Sequence, residues 1–137
     1  MFVTAASSNH FLTVIQFIVS LQGAPVIFYD IGLTESEAEE IKRMPVEYRL
    51  FDWSSVPSWG IITAPSAGSY VWKPVIIHTV FQENHEIVIW CDAGNIIEDR
   101  NALEQYVRQD QLYTPISHGT IRTWTHDSCL EHMNIPM

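Results

Sequence analysis

The segment Glu86-Ile87-Val88-Ile89-Trp90-Cys91-Asp92-Ala93-Gly94-Asn95 constrains the fold more than any other, because an unbroken apolar run ends in an acid and a glycine turn. Ile87 to Cys91 run apolar without alternation, which fits a strand of a parallel sheet buried on both faces. Open α/β sheets bind ligands beyond the carboxyl ends of such strands. Asp92 is therefore a candidate site residue. Opening a turn or capping a following helix is the alternative reading of the same side chain.

The rest of the chain supplies the elements that such a sheet needs. Met1 to Ala5 reads as a short apolar strand, and Ala6-Ser7-Ser8-Asn9 as a loop with several N-cap residues. From His10 to Gln22 the apolar residues fit helical spacing on nearly all sides, which predicts a buried helix ended by Gly23. Val26 to Tyr29 predicts a second strand that ends in Asp30-Ile31-Gly32. Thr34-Glu35-Ser36-Glu37 has the form of a capping box, and the helix it opens runs to about Arg43 before Pro45. Val46 to Phe51 alternates as a half-exposed strand at the sheet edge.

Asp52 to Ser69 has no sustained period and reads as a long loop whose Trp53 and Trp59 either anchor it to the core or stack on a ring. Tyr70-Val71-Trp72-Lys73-Pro74 leads into a helix whose early proline suits a first turn. A further amphipathic helix over Asp99 to Gln109 and a strand at Leu112 to Ile116 follow the Asp92 strand. This alternation predicts an α/β fold, a mostly parallel sheet flanked by helices.

Charge narrows the function. With 7 Lys and Arg against 16 Asp and Glu the formal charge is −9, which repels phosphate backbones and argues against nucleic acid as a partner. On so acidic a chain, an anionic ligand needs a local basic group or a divalent cation. Phe11 to Leu21 is too short and too interrupted to span a bilayer, and no signal-peptide pattern is present. Two cysteines, Cys91 and Cys129, indicate no disulfide framework.

Four blocks, Thr4-Ala5-Ala6-Ser7-Ser8-Asn9-His10, Tyr29-Asp30-Ile31-Gly32-Leu33, Tyr70-Val71-Trp72-Lys73-Pro74 and Trp90-Cys91-Asp92, resemble the GT-A nucleotide-diphospho-sugar transferases. Within that superfamily the chain is most similar to an uncharacterised glycosyltransferase-like family common in nematodes and other animals. The resemblance spans most of the chain. It implies a Rossmann-like GT-A half over residues 1–137, a single nucleotide-sugar-binding domain that is incomplete on its C-terminal, acceptor side. It also implies transfer of a sugar from a nucleotide diphosphate, UDP favoured, to a hydroxyl acceptor. Such enzymes work in the Golgi and secretory pathway behind an anchor that would lie outside this chain.

Residue by residue, the resemblance places Thr4 and Ala5 against the uridine, Asp30 against the base and Lys73 near the diphosphate. Asp92 matches the first acid of the DxD motif, which holds Mn²⁺ or Mg²⁺ through carboxylate oxygens. Gly94 replaces the last acid of that motif, so metal dependence is in question. Glu98 or Asp99, the C-terminal His126, His132 or Asp127, and the ammonium of Lys73 are the alternative ways of supplying what Gly94 lacks. Asp127 is also the local candidate for a catalytic base. A non-catalytic or truncated GT-A-like binding module is the second reading, and an unrelated doubly wound domain using its strand tips for another small ligand is the third.

Overall fold

β1 (Phe2–Ala6) is the strand around which the others are arranged, and all five of its residues are buried. The computed structural model describes residues 1–63, 68–110 and 131. β1 pairs in parallel with β2 (Val26–Asp30) on one side and with the short β4 (Ile89–Trp90) on the other. β2 in turn pairs in parallel with β3 (Glu47–Leu50). The order is β3-β2-β1-β4, an all-parallel sheet of four strands. The chain winds outward from β1 to β3, then crosses back to place β4 on the far side of β1. The gap between the carboxyl ends of β1 and β4 is thus the point where strand order reverses, which is where open α/β sheets hold ligands.

Helices cover the sheet, as the alternation of elements predicts. α1 (Phe11–Ser20) packs on β1 and α2 (Glu35–Lys42) on β3. α3 (Trp72–Phe81) buries Trp72, Ile76 and Val80 in one cluster with Val3, Ala5, Ile27 and Tyr29 of the sheet. The alternate residues Phe2, Val26 and Phe28 are buried outside that cluster, so side chains of both faces are removed from water. Arg49 of β3 donates to the Tyr29 hydroxyl at 3.1 Å and to Glu83 at 2.9 Å, tying the end of the α3 crossover to the opposite edge of the sheet.

The capping box forms as read from the sequence. Thr34 Oγ1 accepts from the Glu37 amide, and the Glu37 carboxylate accepts from the Thr34 amide at 2.8 Å. At the start of α4 (Arg100–Asp110), Asp99 supplies a one-way cap, its Oδ1 accepting from the Ala102 amide at 2.9 Å. The chain divides into two compact units, Met1–Gln105 and Tyr106–Met137. In the second, the described residues are the end of α4 and Glu131. The strand expected at Leu112 to Ile116 lies outside the described residues.

Three expectations need correction. The run Ile87 to Cys91 is not a strand buried on both faces: β4 is an edge strand of two residues, with Ile89 and Cys91 buried and Val88 and Trp90 partly exposed. A strand with one neighbour needs full cover only on the face that meets the core. α1 is not buried all round either, since Leu12 is 73% and Val19 65% exposed while Val14, Phe17 and Ile18 form its inner face. On β3, Leu50 points to solvent and the buried apolar side chain is Phe51, just beyond the strand, where its amide donates to the Asp30 carbonyl at 3.0 Å. The loop tryptophans divide: Trp53 stacks edge-on against Phe51 at 4.8 Å, whereas Trp59 is exposed.

The loop between β3 and α3 closes through a glycine contact. Gly68 has φ +61°, and a Cβ there would come within 2.1 Å of the Gly60 carbonyl oxygen. A Gly68→Ala variant meets both the left-handed backbone and that clash, so it is expected to lose at least about 1 kcal/mol of unfolding free energy. Urea denaturation measures this, and a variant as stable as the parent would contradict the close approach.

Candidate functional site at the carboxyl edge of the sheet

A cavity of about 800 Å³ opens at the carboxyl ends of β1 and β4, within the size range of small-molecule sites. Its walls come from five places in the chain. Ala5 lies near the end of β1, and Ser7, Asn9 and His10 follow that strand on the way into α1; Ile31 follows β2; Ile62 and Thr63 come from the long loop; Tyr70 precedes α3, which Trp72 and Lys73 open; and Asp92 to Gly94 follow β4. Parallel pairing is what brings these together, because it sets every strand's carboxyl end on the same side of the sheet.

The formally charged side chains lining the cavity are Lys73 and Asp92, and they are paired. The ammonium of Lys73 lies 2.8 Å from Asp92 Oδ1 and 2.9 Å from Oδ2. Trp90 lies two residues before Asp92, on the same side of the strand, and its indole N–H donates to Asp92 Oδ1 at 2.8 Å. Burial pushes the Asp92 carboxyl up, but the bonds from Lys73 and Trp90 and the charge of Lys73 outweigh it and hold the group below its ordinary value. Asp92 is consequently ionised at neutral pH. Its side chain remains 58% exposed, so the pair stands at the cavity wall in reach of a ligand. An ion pair so open to water contributes only about 0–1 kcal/mol to stability, and its main effect is to fix two opposite charges at a defined place.

Aromatic rings surround the ammonium. Lys73 Nζ sits 5.0 Å from the centroid of Tyr70, 5.6 Å from Trp72 and 6.0 Å from Trp90. These are distances at which a ring face attracts a cation. Trp72 is buried in the α3 cluster and Tyr70 is exposed, so one ring anchors the helix and the other faces the opening.

Of the residues singled out from the sequence, Ala5, Lys73 and Asp92 line the cavity, and Asp30 and Thr4 are not among its lining residues. Asp30 is 5% exposed, and its carboxylate is engaged in holding the turn after β2. Oδ1 accepts from the amides of Gly32 and Leu33, each at 2.8 Å, and Oδ2 accepts from the Tyr48 hydroxyl. Burial and the adjacent Asp30 together push the Tyr48 phenol far up, so it stays a donor. Thr4 is fully buried inside the β1–β2 ladder, opposite Phe28, and its hydroxyl has no hydrogen-bond partner among the described residues. His126 and Asp127 lie outside the described residues.

The described residues do not fit a divalent cation beside Asp92. One carboxylate is present there, it already carries the Lys73 ammonium, and Gly94 adds no donor. No group of three His, Cys, Asp or Glu side chains with the geometry to hold a metal occurs among the described residues. Likewise, no helix among them is long and apolar enough to cross a membrane.

Sequence reasoning missed His10, Tyr70 and Trp90 as parts of the site. The signal for Trp90 was its spacing, since residues two apart on a strand share a face. Comparison with protein-family models, with curated proteins and with solved structures finds no match to this chain.

The hydrogen bonds of Asp30 carry a testable consequence. Asp30→Ala strips two backbone donors and a part-buried hydroxyl of their acceptor. The expected loss is about 2–4 kcal/mol of unfolding free energy. Chemical denaturation of the variant checks it, and an unchanged midpoint would show that the carboxylate does not hold the turn.

Proposed function

We propose that this cavity binds a nucleoside-diphosphate sugar, with UDP as the nucleotide, and that the domain serves a glycosyltransferase that moves the sugar to a hydroxyl acceptor. The observation that carries the reading is the Lys73–Asp92 pair at the β1/β4 switch point, in a cavity with an aromatic wall. It is supported by the resemblance of the four sequence blocks to GT-A transferases, since Ala5, Lys73 and Asp92 from three of those blocks meet at one cavity.

The physical role of Lys73 follows from charge. A diphosphate that enters a cavity on an acidic protein requires a cation, and Lys73 is the lining residue that carries one. Its ammonium turns from Asp92 toward the phosphate oxygens, stays within the aromatic surround, and neutralises the charge that develops on the departing diphosphate. Asp92 holds the ammonium in place before the ligand arrives. Where GT-A enzymes use a cation on the last acid of the DxD motif, Gly94 leaves this role to the protein's own charge. That same feature favours a second reading, a module that binds the nucleotide without transferring sugar.

Isothermal titration with UDP and uridine, each with and without Mn²⁺, tests the reading on the parent and on Lys73→Met. A charge-assisted contact contributes about 1.5–3 kcal/mol. UDP is therefore expected to bind the variant about tenfold to a hundredfold more weakly, with little change for uridine. Metal-independent binding of UDP is expected for the parent. Equal weakening of both ligands would mean that Lys73 shapes the mouth of α3 and does not read phosphate.

A further inference from the structure

From the backbone at Gly68-Ser69-Tyr70 we infer that Tyr70 is the platform on which the nucleobase stacks, an inference that rests on the nucleotide reading above. The three residues are left-handed in succession, with φ of +61°, +49° and +56°. Glycine adopts this conformation freely, whereas a serine and a tyrosine do so against the steric preference of L-residues. The turn is held there from outside. Gly68 lies against the Gly60 carbonyl, Gly60 lies against Val71, and the Val71 amide donates to the Gly68 carbonyl at 3.1 Å.

Burial does not account for the strain. Tyr70 is 57% exposed, so its ring is not placed for the sake of the core. It lines the cavity beside the buried Trp72, with ring centroids 6.1 Å apart, and adjoins the Lys73 ammonium. Strained backbone that places an exposed aromatic side chain in a cavity, next to a cation, is the pattern expected where a ligand uses the ring. A flat heteroaromatic ring joined through ribose to a phosphate matches both neighbours. Its face meets Tyr70, its phosphates meet Lys73, and Asn9 and Thr63 on the same cavity wall offer amide and hydroxyl groups to its polar edge.

The test compares UDP, inorganic pyrophosphate and UDP-glucose on the parent chain, Tyr70→Phe, Tyr70→Ala and Tyr70→Gly by isothermal titration, with melting temperatures recorded for each. Loss of a stacking ring is expected to weaken UDP about tenfold or more in the Ala and Gly variants. Pyrophosphate is unchanged, and Tyr70→Phe stays within about twofold because the ring remains. Tyr70→Gly relieves the left-handed strain, so its melting temperature is expected to equal or exceed that of Tyr70→Ala. UDP affinity unaffected by Tyr70→Ala would overturn the stacking role. So would equal weakening of pyrophosphate, which would show that the ring acts by positioning Lys73, or weakening of UDP-glucose alone, which would put the sugar on the ring. A parent chain that binds none of the three ligands would overturn the nucleotide reading itself.

Discussion

The parallel pairing of β1 with strands on both sides is the constraint on which the candidate site depends. Phe2 to Ala6 run in register with Val26 to Asp30, and Phe2 and Val3 with Ile89 and Trp90. That register puts the residue after β1, the turn after β2 and the acid after β4 on one side of the sheet. The Met1 carbonyl accepts from the Ile89 amide and the Val3 carbonyl from the Cys91 amide, so β1 directly fixes the strand that carries Asp92. A slip of one residue would turn Trp90 and Asp92 to the other face of the sheet and separate them from Lys73.

The electrostatics follow from that geometry. An acidic chain with few cations has set one lysine against one carboxylate and enclosed the ammonium with three rings. The arrangement holds a positive charge at the carboxyl edge of the sheet without exposing it fully to solvent, and the indole of Trp90 keeps one carboxylate oxygen engaged. Stability gains little from so open a pair. Its consequence is a local, ordered dipole at the point where the strand order reverses.

Much of the fold was legible in the sequence because the signals were local. The capping box at Thr34 depends on residues three apart, and the acids at strand ends are punctuated by Gly32 and Gly94. Non-local relations were not legible. Asp30 and Asp92 look alike in sequence, each an acid after an apolar strand, yet Asp30 is tied down by Tyr48, eighteen residues away, while Asp92 faces the cavity beside Lys73. The brevity of β4 was hidden for the same reason: an apolar run does not say whether a strand has one neighbour or two. Apolar residues on the outer side of α1 carried no mark that distinguished them from its core face. The left-handed run at Tyr70 has its cause in Gly60 and Gly68, a contact between distant parts of one loop.

The claim that the β1/β4 edge is a nucleotide site is tested most directly by mapping amide chemical shifts of the ¹⁵N-labelled chain during titration with UDP. Perturbations centred on Asn9, Tyr70, Lys73 and Asp92, with little change along α2, are the predicted result. Binding that instead shifts residues remote from this edge, or no saturable shift at all, would contradict the assignment of the cavity.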